Sequence, residues 1–155
     1  MKAENIKFRG KRTDDGAWVY GDLTHVQRIC TKEQTEKSGR RTEPAVRIAN
    51  YDVNKVTIGQ FTGLYDENES EIYEGDIVDW TFFYTGYCNG GAAERDTIVT
   101  GIIEWYQGGF ILKVINNDFE DAGQYSISDL NTDTTSDVVV KGNIYDNKEL
   151  LATRI

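Results

Sequence analysis

Side chains that could do chemistry are few in this sequence, and their spacing limits what they can do. His25, Cys30 and Cys88 are its whole supply of imidazole and thiol. A closed zinc site needs Cys or His ligands in number, so one built on these three would need carboxylate help. A thiol–imidazole nucleophile needs the two groups held together. His25 and Cys30 are near in sequence but fall in a stretch whose pattern predicts a mobile loop, which is poor positioning for catalysis. The acidic run Asp66-Glu67-Asn68-Glu69-Ser70 puts oxygens at alternate positions, as the start of a calcium loop does. Its sixth position is Glu71 where such a loop needs glycine, and its twelfth is Ile77 where it needs a bidentate Glu. The run therefore reads as a solvated β-turn. Asn89-Gly90-Gly91 lacks the Lys-Ser/Thr that completes a phosphate cradle. Carboxylates are plentiful enough for a hydrolase with paired acids, but plenty alone does not pair them. No catalytic, cofactor-binding or metal-binding residue is assigned.

The remaining candidate is a cluster of cations. Arg28, Lys32, Lys37, Arg40, Arg41 and Arg47 lie in one stretch, interleaved with Glu33, Glu36 and Glu43. Such a segment can grip an acidic partner or a nucleic acid, or it can be a solvated loop. No aromatic sits between Arg28 and Arg47 to stack on bases. The charge of the chain weighs the same way. Residues 1–47 carry a net +4 and residues 48–155 a net −13, giving −9 over 155 residues. An acidic body repels phosphate backbones. Nucleic acid is thus disfavoured as a partner, and an unknown protein partner or a second copy of the chain is expected. Two widely separated cysteines suit a reducing cytosol, and no segment has the length and apolarity of a membrane span or signal peptide. The expected location is the cytoplasm.

The elements that position these residues are predicted to be strands. Three Trp, nine Tyr and six Phe accompany fifteen Gly and one Pro, a composition of short strands and tight turns. Alternation over 5–9 and 17–23, with Asp14-Asp15-Gly16 between them, predicts a β-hairpin. Residues 27–43 lose all periodicity and read as a long loop, with frayed helix at most. Residues 45–49 form a short edge strand, and 77–84 form a strand leading through Trp80. A glycine-rich loop is expected over 85–96. The strongest hairpin pairs 97–106 with 110–115 across Gln107-Gly108-Gly109. A short helical turn is expected at 128–130, a last strand at 137–145 and a short helix from 146, capped by Asp146 or Asn147. Tyr73, Trp80 and Trp105 read as core or rim. The fold class is mainly β: a small curled antiparallel sheet or SH3-like barrel, with an N-terminal β-hairpin region and little helix.

Lys7-Phe8-Arg9-Gly10-Lys11-Arg12 followed by Trp18-Val19-Tyr20-Gly21-Asp22-Leu23 resembles the opening of the YopX family. Gly59-Gln60-Phe61-Thr62-Gly63-Leu64 and Glu71-Ile72-Tyr73-Glu74-Gly75-Asp76-Ile77-Val78 resemble its central signature. Gly142-Asn143-Ile144-Tyr145-Asp146-Asn147 with Glu149-Leu150-Leu151 resembles its end. The resemblance implies one YopX-like domain over 1–155, with an N-terminal β subregion 1–65 and a barrel-like subregion 66–155. It implies a phage, prophage or mobile-element protein of a bacterial host, with no assigned activity and no catalytic residues. Gly59, Gln60, Phe61, Thr62, Gly63, Ile72, Tyr73, Glu74, Gly75 and Asp76 then form a folding signature. The family has Asn-Gly in the turn before Glu-Ile-Tyr, whereas Asn68 here is followed by Glu69. The expected role is a non-catalytic binding or assembly domain acting through protein contacts. The alternatives are a nucleic-acid accessory protein using the basic stretch 28–47, or a hydrolase using acidic residues.

Overall fold

Antiparallel pairing between neighbouring segments builds most of this chain. The computed structural model describes residues 2–88, 91–117, 123–130 and 137–152. Their contacts divide into two units, Met1–Phe61 and Thr62–Ile155, and the boundary falls inside one strand.

In the first unit, β1 (Phe8–Lys11) pairs with β2 (Trp18–Gly21), with Phe8 opposite Gly21 and Lys11 opposite Trp18. The expected hairpin is present. Its turn is held by the aspartates: Asp14 Oδ1 accepts from the Asp15 amide at 2.8 Å, and Asp15 Oδ1 from the Ala17 amide at 2.9 Å. The other edge of β1 pairs with the first residues of β6 (Gly59–Tyr65). β3 (Leu23–Ile29) and β4 (Thr42–Ile48) pair over their full lengths, and β4 turns into β5 (Tyr51–Asp52). Ala49 and Asn50 carry that turn with φ of 49° and 67°, as a two-residue hairpin of matching twist demands. Val46, Ile48 and Val53 are buried here, packed by Phe8, Val19, Leu23 and Ile58.

The 27–43 expectation is overturned. The stretch is the outer half of β3, a helix α1 (Lys32–Ser38) and the start of β4. No helix residue is buried, so no apolar stripe marks it in the sequence. Its ends make it a helix. Thr31 and Gln34 form a reciprocal capping box, with Thr31 N to Gln34 Oε1 at 2.9 Å and Gln34 N to Thr31 Oγ1 at 3.3 Å. Gly39 closes it in the left-handed conformation, φ 70°.

In the second unit, the end of β6 lies beside β7 (Glu71–Tyr73), where the Thr62 hydroxyl donates to the Ile72 carbonyl at 2.8 Å. The main sheet has the order β11-β10-β9-β8-β12. These are β8 (Asp76–Cys88), β9 (Gly91–Tyr106), β10 (Gly109–Asn117), β11 (Gln124–Ser126) and β12 (Val138–Asn143). The loop expected over 85–96 is also corrected. β8 and β9 pair continuously from Ile77↔Ile102 to Cys88↔Gly91, because backbone pairing needs no apolar alternation. The 97–106 and 110–115 hairpin stands as expected. Its alternation is visible in burial: Val99, Gly101 and Ile103 face inward, while Ile98 is half exposed. Val78, Trp80, Val99, Ile103, Leu112, Leu130, Val138 and Ile72 form the core, each fully buried aliphatic contributing about 1.5–3 kcal/mol. Trp80 meets Tyr125 edge to face at 5.2 Å.

The mainly β class therefore stands, but no closed barrel forms among the described residues. Closure would require β11 to meet β12. They sit at opposite edges, and β11 has only three residues. A 3-10 turn at Ile127–Leu130 and another at Lys148–Leu151 match the two short helical turns expected near the end. Asn147 stands at the second one's N-cap without a side-chain capping bond. Its Oδ1 accepts instead from the Asn143 amide at 3.1 Å.

Candidate partner-binding site

β3, α1 and β4 together make an arm: two strands tipped by a seven-residue helix. All six cations singled out from the sequence lie on it, yet they do not converge. Arg28 on β3 is directly opposite Glu43 on β4 and pairs with it. That hydrogen bond holds the guanidinium pKa above its ordinary value. Lys37 reaches Glu33 one helical turn back, at 2.7 Å. Arg47 Nε donates to Asp52 Oδ1 at 2.7 Å. Lys32, Arg40 and Arg41 have no carboxylate partner among the described residues; Lys32 opens α1, and Arg40 and Arg41 follow its C-cap. The stretch thus resolves into three paired cations along the arm and three unpaired ones at its end.

The strand pairing adds a feature that the charges hide. The Cys30 amide donates to the Arg41 carbonyl at 2.9 Å. Hydrogen-bonded and non-bonded pairs alternate along antiparallel strands. The register Leu23↔Ile48 through Ile29↔Thr42 then makes 24↔47, 26↔45 and 28↔43 the bonded pairs. His25, Gln27 and Ile29 turn their amides and carbonyls away from β4. No strand lies beyond β3 in its sheet, and those groups have no partner among the described residues. Ile29 is 82% exposed.

The far edge of β4 is different. Pro44 falls at a non-bonded pair and faces outward, where it offers no N–H. Its carbonyl takes Lys55 Nζ at 3.2 Å, and the Val46 carbonyl takes the Val53 amide at 3.1 Å. One edge of the arm is open and the other is blunted. A hollow of about 300 Å³ lies across the arm, lined by His25, Gln27, Pro44, Val46 and Lys55 among others.

His25 and Cys30 are five positions apart, so the strand alternation sends them to opposite faces and they form no pair. Asp66 is not solvated: it is 6% exposed. Its Oδ1 accepts from the Asn68 and Ser70 amides at 2.9 and 2.8 Å, and its Oδ2 from the Val140 amide at 3.0 Å. Glu69 takes φ of 62°. In the signature, Phe61 and Ile72 are buried, and Lys7 Nζ stands 4.6 Å over the Phe61 ring. Gly59 is buried and pairs with Arg9, and Gln60 pairs with Phe8. Buried Tyr73 donates its hydroxyl to Glu71 at 2.5 Å, and its amide to Asp76 Oδ2 at 2.8 Å. Gly75, next to half-buried Glu74, donates to the Ile103 carbonyl at 2.8 Å. Gly63 and Gly75 have φ of 85° and 87°. Trp105 is half exposed and meets Phe110 edge to face at 4.9 Å. Asp14 and Asp52 line a second hollow of about 200 Å³, and each is engaged by an arginine, Arg12 and Arg47. No group of three or more His, Cys, Asp or Glu among the described residues is arranged to hold a metal ion. No helix among them is long and apolar enough to cross a membrane.

Residues 7–152 match the family model described as YopX protein. No curated protein matches the chain. Among solved structures, the chain is similar to protein EF1440 from Enterococcus faecalis, at 25% identity and a TM-score of 0.44, over 95% of this chain and 98% of that one.

Proposed function

Since this chain belongs to the YopX family, we propose that it is a non-catalytic binding or assembly domain of a phage or mobile element. It works in the bacterial host cytoplasm and acts through protein contacts. The open outer edge of β3 carries this reading. An edge strand with unpaired amides and carbonyls takes up an extended segment by completing the ladder. Natural proteins usually blunt such edges, as β4 is blunted here by Pro44. His25, Gln27 and Ile29 along that edge are exposed.

A photoreactive residue at position 27, introduced in the host cell, tests the reading. Position 27 lies on the open edge and opposite Pro44, so the replacement leaves the β3–β4 bonds in place. Protein adducts are expected. Adducts to nucleic acid alone, or none, would overturn it.

A second reading follows from Lys32, Arg40 and Arg41. Three unpaired cations at the tip of an arm can contact phosphates. Binding to DNA or RNA at low salt, lost with Arg40→Ala/Arg41→Ala and falling steeply with salt, would favour it. No binding at low salt would end it.

A further inference from the structure

We propose that the occupant of the β3 edge is the β3 edge of a second copy of this chain, joined antiparallel about a twofold axis at Val26. The inference rests on the reading of the arm as a protein-contact surface and names the partner.

The strand is self-complementary in that register. β3 runs from Leu23 to Ile29, and Val26 is its midpoint. Antiparallel pairing about Val26 sets His25 against the partner copy's residue 27 and Leu23 against its residue 29. These are the positions whose amides and carbonyls face outward. Each outward pair of the two copies therefore meets as a hydrogen-bonded pair. Any register shifted by one residue would set outward groups against groups already engaged by β4.

The side chains fit as well. Ile29, 82% exposed at the end of its strand, falls opposite Leu23 of the other copy, whose side chain is partly buried against its own core. The two Val26 side chains meet in a non-bonded pair, where side chains approach most closely. Arg28 falls opposite a threonine, so no like charges oppose across the seam. The register also brings each basic tip to the other copy's base. Position 30, bonded to Arg41, falls opposite position 22. Asp22 is an exposed carboxylate with no ion-pair partner among the described residues. The tip cations Lys32, Arg40 and Arg41 thus gain a carboxylate at the other arm's base.

Sedimentation equilibrium of the purified full chain over a wide concentration range tests this, with amide hydrogen exchange on the same samples. A dimer is expected, with the amides of residues 25, 27 and 29 protected in it. Gln27→Pro removes one outward N–H per copy and keeps the β3–β4 bonds. It should raise the dimer dissociation constant about tenfold or more. Thr42→Pro makes the same change on the outer edge of β4 and should leave the dimer intact. Ile29→Asp, at the strand's end, gives a second probe whose fold is checked by circular dichroism and should also weaken the dimer. A strict monomer would overturn the proposal. So would a dimer with fast exchange at 25, 27 and 29, or one weakened equally by Thr42→Pro. A monomer whose position 27 still cross-links to another protein would refute the second copy while leaving the protein-contact reading standing.

Discussion

Asp66→Ala should be among the most damaging single substitutions outside the apolar core. The Asp66 carboxylate holds three amides: Asn68 and Ser70 within its own turn, and Val140 on β12. Two further backbone bonds depend on the same turn: Asp66 N to Ser70 O at 2.8 Å, and Glu67 N to Val138 O at 2.9 Å. A hydrogen bond to a charged group contributes about 1.5–3 kcal/mol. The contributions do not simply add. Asn68 and Ser70 are exposed, and water replaces the carboxylate for them. The Val140 amide is half-buried on the strand and regains less. A loss of about 3 kcal/mol is therefore expected, out of a total of about 5–15 for a domain. This corresponds to a fall in Tm of about 6–12 °C. Urea unfolding followed by tryptophan fluorescence measures it, since Trp80 lies in the core that β12 helps enclose. Asp66→Asn separates the contributions. Its single amide oxygen can serve the turn, while its NH₂ group meets the Val140 donor, so its stability should lie between the other two proteins. A loss below about 1 kcal/mol for Asp66→Ala would refute the reasoning. So would an Asp66→Asn protein as stable as the parent.

Gly101→Ala should cost about 1–3 kcal/mol, toward the upper end, because the added methyl would lie 2.6 Å from Leu112 Cδ1 and 2.7 Å from the Lys113 carbonyl oxygen, which cannot swing aside; chemical denaturation measures it. Glu69→Gly should raise stability by about 0.5–1 kcal/mol, because the left-handed conformation at that position strains any residue with a Cβ. Asp14 should titrate below the ordinary carboxylate value of about 3.9 in an NMR pH titration, because the Arg12 hydrogen bond favours its charged form. A lowered folded-state pKa means that its contribution is present above the ordinary value and fades as pH falls through the folded one, and Arg12→Ala should return the midpoint upward.

The sequence makes this fold legible wherever neighbours in sequence are neighbours in space. Val99, Gly101 and Ile103 alternate with exposed positions and are closed by Gln107-Gly108, so the β9–β10 hairpin can be read directly. The arm cannot. Its helix buries no residue and so carries no apolar stripe, and Arg28 and Glu43 on its strands pair with each other across the ladder. The signals that were present are caps, not periodicity: Thr31 three residues before Gln34, then Gly39. Asp66 misleads for the opposite reason. Its neighbours are acidic and exposed, and its burial rests in part on a bond to Val140, 74 residues away in sequence. The open edge of β3 is a property of register, and register across the twelve-residue connection from Cys30 to Arg41 leaves no local pattern.

Pro44 limits how far sheet growth can go. A hairpin with two receptive edges would pass its ladder from copy to copy and end as a fibre. Here the second edge is sealed by a ring nitrogen without hydrogen, with Lys55 and Val53 occupying the carbonyls beside it. An arm that joins once has then no free side left, so the assembly ends at a closed pair. Replacing that proline would restore one donor to the sealed edge and weaken the stop, with the Lys55 and Val53 contacts still in place.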